Sequence, residues 1–166
     1  MATVADISKV VSKREAERRL RDWKRRLSEF FAKVEQWSVA LWGEGCVTRG
    51  TIVPLSEYWM EQAGVRPRRL PTLTAQAGPR TISFEPSCLW IIGANGRVGV
   101  IVEGGPRSRH PGVPHVITDL GGEDGQPSDW QIRTRNPSKV LEPFTKDVLL
   151  RIASGRPEGQ AQETAA

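Results

Sequence analysis

The chain has 166 residues, a net charge of +5, 38% apolar and 26% charged residues, a balance that fits one folded domain with a core and excludes a disordered chain or two full-sized domains. No apolar run reaches the roughly 18 residues of a membrane-spanning helix, and two cysteines, Cys46 and Cys88, are too few for a disulfide framework. The opening Met1-Ala2-Thr3-Val4 lacks the layout of a secretory signal, so a cytoplasmic, reducing setting is expected, and the excess of Arg over Lys with six Trp and one Tyr points to a prokaryotic or phage genome.

Residues 1–11 read as a lead-in. Ser12 then supplies an N-cap, with Glu15 completing a capping box, and a long helix is predicted over 12–42. Its apolar residues fall on a 4-3 repeat: Ala16, Leu20, Trp23, Leu27, Phe30, Val34, Trp37, Leu41. Gly43-Glu44-Gly45 ends it. At a rise of 1.5 Å per residue such a helix is about 45 Å long, so one end should overhang the body, and the basic half is the expected end. Between Lys13 and Arg26 lie eight basic and three acidic residues, so this segment alone carries net +5 and the remainder is neutral. A heptad stripe also permits a homodimer through the long helix. Against it, Arg19, Lys24 and Arg26 flank the seam and would meet like charges in a parallel pair, and packing on a sheet tolerates the large aromatics better.

The body that follows, 46–134, is read as β-rich. Cys46 to Val53 is a strand ended by Pro54, and Leu55 to Ala63 a short helix capped by Ser56 and stopped by Gly64. Val65 to Pro71, carrying Arg66, Arg68 and Arg69, is an exposed connection. Leu73–Gln76 and Thr81–Phe84 are short strands. Leu89–Gly93 and Arg97–Val102 flank Ala94-Asn95-Gly96, which predicts a two-residue hairpin with positive φ at Asn95 and Gly96. A loop from Gly104 to Pro114 precedes strands at His115–Leu120 and Trp130–Thr134, separated by the acidic loop 121–125. Phe144, Val148, Leu149 and Ile152 form the stripe of a C-terminal helix over 143–154, closed by Gly155 and Pro157, before a disordered tail at 156–166. The domain is thus α+β over 12–155: a long amphipathic helix packed on a mostly antiparallel sheet, with a short C-terminal helix. Trp23, Phe30, Trp37, Trp90, Ile92, Val100 and Ile101 are the expected core.

Few residues are arranged for chemistry. Cys46 and Cys88 lack paired spacing, and His110 and His115 are separated by two prolines, so no metal is expected. Asp119, Glu123, Asp124 and Asp129 lack the alternating ligands of a calcium loop. Gly93 to Gly99 has GxxGxxG spacing with a strand, not a helix, following, so no nucleotide cofactor is expected either. Ser108, His110 and Asp119 offer the residue types of a nucleophilic triad without its local motif.

The basic clusters carry more. Lys13, Arg14, Arg18, Arg21, Lys24 and Arg25 would form a positive helix face, with Arg66, Arg68, Arg69, Arg80, Arg107 and Arg109 in secondary loops, and Arg suits bidentate contact with carboxylate or phosphate. The leading expectation is a small non-enzymatic interaction module that docks this helix on a protein with an acidic surface, without cofactor, metal or membrane. The alternatives are a nucleic-acid-binding protein using the same face, and an enzyme with a site near His110, His115 and Asp119.

Overall fold

A computed structural model describes residues 11–54, 56–91, 93–104, 115–122, 125–133 and 141–155. The expectations for residues 1–10, Ile92, Arg107, Ser108, Arg109, His110, Glu123, Asp124 and 156–166 lie outside these residues.

The long helix, α1 (Lys13–Trp42), starts where the capping box places it: the Ser12 hydroxyl accepts the Glu15 N–H at 3.2 Å. Gly43, at φ +93, ends it and returns its N–H to the Val39 carbonyl. Ala16, Leu20, Trp23, Leu27, Phe30 and Val34 are all buried, joined on the flanks by Arg26, Phe31 and Ser38. The stripe loosens at its far end, where Trp37 and Leu41 are only half-buried. The basic half therefore does not overhang. It is the better anchored half, because Ala16, Leu20 and Trp23 bind it to the body.

Seven strands follow in chain order and pair in the same order, every neighbour antiparallel: β1 (Val47–Ile52), β2 (Leu70–Ala77), β3 (Arg80–Cys88), β4 (Gly96–Gly104), β5 (His115–Asp119), β6 (Trp130–Arg133) and β7 (Leu141–Pro143). Among the described residues two short helices accompany the sheet, α2 (Tyr58–Gln62) and α3 (Lys146–Ser154). The two-residue period of the strands sorts the faces. The register pairs Ala75 with Ile82, Phe84 with Val100, Val98 with Ile117 and Ile117 with Ile132, all buried. Thr74 opposite Ser83 and Thr118 opposite Gln131 belong to the other face. On the inner side Phe30 is the hub: its ring centroid lies 4.3 Å from Trp130, 5.7 Å from Phe144 and 6.4 Å from Phe84. Phe144 leads into α3, whose Thr145 cap accepts the Val148 N–H and whose Gly155 stops the helix at φ +62.

Several local expectations need correction. Asn95-Gly96 closes no two-residue turn. The strands that pair are β3 and β4, with Cys88 opposite Arg97, and among the described residues between them an isolated bridge joins Ile91 to Ala94. The reason is a distant carboxylate: Glu57 accepts the Leu89 N–H at 2.6 Å and the Trp90 N–H at 2.9 Å, removing both amides from any ladder. Trp90 is consequently half-buried rather than central, as are Trp37 and Ile101. Glu57, not Ser56, occupies the cap position of α2. In the connection after α2, Val65 and Leu70 are buried and Leu70 already belongs to β2. The short strands expected at Leu73–Gln76 and Thr81–Phe84 extend into an eight- and a nine-residue strand around Gly78. Strand β7 carries no sequence signal that anticipated it.

Candidate macromolecule-binding surface

Of the cations between Lys13 and Arg26, Lys13, Arg14, Arg18, Arg21, Lys24 and Arg25 are exposed on α1. At 100° per residue Arg14, Arg18, Arg21 and Arg25 form one row, opposite the buried stripe. The row is partly neutralised. Arg18 pairs with Glu15 at 2.5 Å, and Arg25 bridges Asp22 at 2.7 Å and Glu29 at 2.8 Å. Hydrogen bonding from Arg18 holds the Glu15 carboxyl below its ordinary pKa against the opposing effect of burial. Among the described residues no ion pair engages Lys13, Arg14, Arg21 or Lys24. Between Lys13 and Arg26 these four are the exposed cations outside the ion pairs.

The other two cations of the segment point elsewhere. Arg19 lies over the Trp90 ring, its guanidinium carbon 4.5 Å from the centroid. Arg26 is fully buried and donates to Asp22 through Nε at 2.6 Å, to Asp119 at 2.9 Å and the Ser128 hydroxyl at 3.2 Å through Nη1, and to the Gly122 carbonyl at 2.7 Å through Nη2. Asp119, also fully buried, accepts the Gly121 and Asp129 N–H groups on its other oxygen at 2.9 and 2.8 Å. One guanidinium and one carboxylate thereby fasten the loop between β5 and β6 to the helix. The sequence does carry a signal for this pair. Arg26 stands three residues after Trp23 and four before Phe30, on the edge of the apolar stripe, and Asp119 shares its strand face with buried Ile117.

The secondary loop cations Arg66, Arg68 and Arg69 are exposed. Arg69 donates to the Thr51 hydroxyl at 3.2 Å and so turns toward β1. Arg66 and Arg68 instead join Lys13 and Glu17 around an open depression of about 280 Å³ beside the first turn of α1. Arg68 and Glu17 are 4.0 Å apart, the outer limit of an ion pair. Arg80 packs at the end of α3, where its guanidinium occupies the space a side chain at Gly155 would fill.

The residues considered for catalysis are not assembled in the described part. His115 and Asp119 begin and end β5, which sets them about 13 Å apart along an extended strand. The oxygens of Asp119 are already engaged, and burial pushes the His115 imidazole pKa below its ordinary value while leaving Nδ1 without a partner among the described residues. His110 lies outside them. Among the described residues no group of His, Cys, Asp and Glu is placed to hold a metal, and no helix is long and apolar enough to cross a membrane. Cys46 and Cys88 are free thiols whose pKa values burial raises.

No family model, curated protein or solved structure matches this chain.

Proposed function

We propose that the protein is a small, non-enzymatic interaction module that binds a macromolecule of opposite charge through the outward face of α1, with Arg14, Arg21, Lys13 and Lys24 making the contacts and Arg18 and Arg25 in support. One observation carries this reading: the unpaired cations sit on a helix whose opposite face is locked into the core, so the charges are held in fixed register. The fixed backbone spares binding the cost of ordering the chain, so only the side-chain rotamers remain to be immobilised. Electrostatic complementarity of this kind steers encounter and selects partners.

Retention on immobilised heparin, a generic polyanion, tests it. The triple variant Arg14→Glu, Arg21→Glu, Lys24→Glu should elute at much lower salt than the wild type. Its folding stability should stay within about 1 kcal/mol, because exposed charges away from packing contribute little. A second variant, Arg97→Glu, Arg133→Glu, Lys146→Glu, changes the net charge equally with exposed residues on other elements. Equal loss of retention in both variants would mean that net charge alone is read and that α1 is no binding surface.

A further inference from the structure

Resting on that reading, we infer that the partner is a double-stranded nucleic acid, held by its phosphate backbone along a track that begins in the depression between the first turn of α1 and residues 64–68. Three cations, Lys13, Arg66 and Arg68, border that depression against one carboxylate, Glu17, which Arg68 meets only at 4.0 Å. The amino end of a thirty-residue helix borders the same space and adds its own partial positive charge. From there Arg14, Arg21 and Lys24 continue the charge along one side of the helix for about 16 Å, a length that spans more than two phosphates of a strand. Glu29, paired with Arg25, closes the track.

The apolar inventory separates a nucleic acid from an acidic protein. Stable protein interfaces are anchored by a desolvated apolar or aromatic centre. Among the described residues the exposed large hydrophobics are Val53, Tyr58, Leu120, Leu141 and Leu150, and none lies on α1. A phosphate backbone requires no such anchor, since counterion release supplies the free energy. The same absence on α1 favours duplex over single strand, because single strands are held by stacking bases on exposed aromatic rings, and the exposed ring of Tyr58 on α2 does not line the depression. Trp23 and Phe30 of α1 are buried in the core, and Trp90 is covered by Arg19.

The test is fluorescence anisotropy with three probes: a short mixed-sequence DNA duplex, the corresponding single strand, and polyglutamate. The wild type should bind the duplex best, and its affinity should fall about a hundredfold or more between roughly 50 and 200 mM salt, as expected for four or more phosphate contacts. Lys13→Glu, Arg66→Glu, Arg68→Glu should weaken duplex binding at least tenfold, Arg14→Glu, Arg21→Glu, Lys24→Glu at least as much, and Arg97→Glu, Arg133→Glu less than twofold. Circular dichroism of each variant guards against unfolding. Binding of polyglutamate but not of duplex, with the same dependence on α1, would overturn this inference and leave the proposed binding face standing. Tighter binding of the single strand would overturn the duplex assignment. Duplex binding indifferent to both α1 and the depression would overturn the track and the binding face together.

Discussion

Arg21 and Arg26 stand five residues apart on one helix, and nothing in their chemistry distinguishes them. Arg21 is exposed on the outward row, with no ion pair among the described residues. Arg26 is fully enclosed and donates to two carboxylates, a hydroxyl and a carbonyl. The charge of a segment is therefore not the charge of its surface. Part of the positive excess of α1 is consumed inside the fold, where it fastens the loop after β5. The cations left over face away from the core because the apolar stripe fixes the rotation of the helix. Fold and candidate function thus draw on one pool of arginines, and geometry alone divides it.

Breaking the inner side should cost most. Arg26→Ala or Asp119→Ala strands a buried charge and should destabilise the protein by about 3–5 kcal/mol in urea unfolding. The double variant Arg26→Met, Asp119→Leu removes both charges but leaves the Gly121 and Asp129 N–H groups and the Gly122 carbonyl without these partners, so it should recover only part of that loss. A single-variant loss below about 1 kcal/mol would place Arg26 in water and erase its contrast with Arg21.

The fit of the helix against the sheet is the next test of the inward side. Gly96 opens β4 at φ +157, and a Cβ there would lie 2.6 Å from the Trp23 ring. Gly96→Ala should therefore cost about 1–3 kcal/mol by pushing Trp23, and α1 with it, off the sheet. Gly64→Ala meets nothing within 4 Å at φ +67 and isolates the backbone strain, about 1 kcal/mol. Equal losses at the two sites would show that the helix is not seated on Gly96.

What the sequence conveyed follows the range of the interactions involved. The helix, its cap, its stop and its buried stripe were legible because they repeat every three or four residues and rest on local bonds such as Ser12 to Glu15. The α+β architecture was legible from the change of period after Cys46. The two-residue hairpin is absent where Glu57, more than thirty residues away, takes the amides of Leu89 and Trp90, a contact that no local pattern encodes. Strand β7 is three residues long, too short for a period to emerge. The basic half of α1 does not project, whatever the length of the helix, because Ala16, Leu20 and Trp23 within it are buried. For the candidate surface, the exposed cations could be named from the chain. The approach of Arg66 and Arg68 to Lys13 depends on how the connection before β2 folds against α1.

Asp22 joins the two sides and gives the smallest but most selective test. Its carboxylate accepts from buried Arg26 at 2.6 Å and from exposed Arg25 at 2.7 Å. Burial pushes its pKa up, and the hydrogen bonds from Arg26 and Arg25 outweigh that, leaving it below the ordinary value of about 3.8. A lowered folded pKa means that the unfolded chain binds protons more readily, so this stabilisation is complete above about pH 4 and is lost as pH falls through the folded value. Asp22→Asn should accordingly lower the melting temperature at neutral pH, and its curve should converge with that of the wild type in strong acid, where the wild-type carboxyl is also uncharged. Asn keeps one acceptor oxygen, so the neutral-pH loss should be smaller than for Asp119→Ala. Melting curves that remain parallel down to pH 2 would mean that Asp22 is not the charged link between the two arginines, and the inner and outer sides of α1 would then be electrostatically independent.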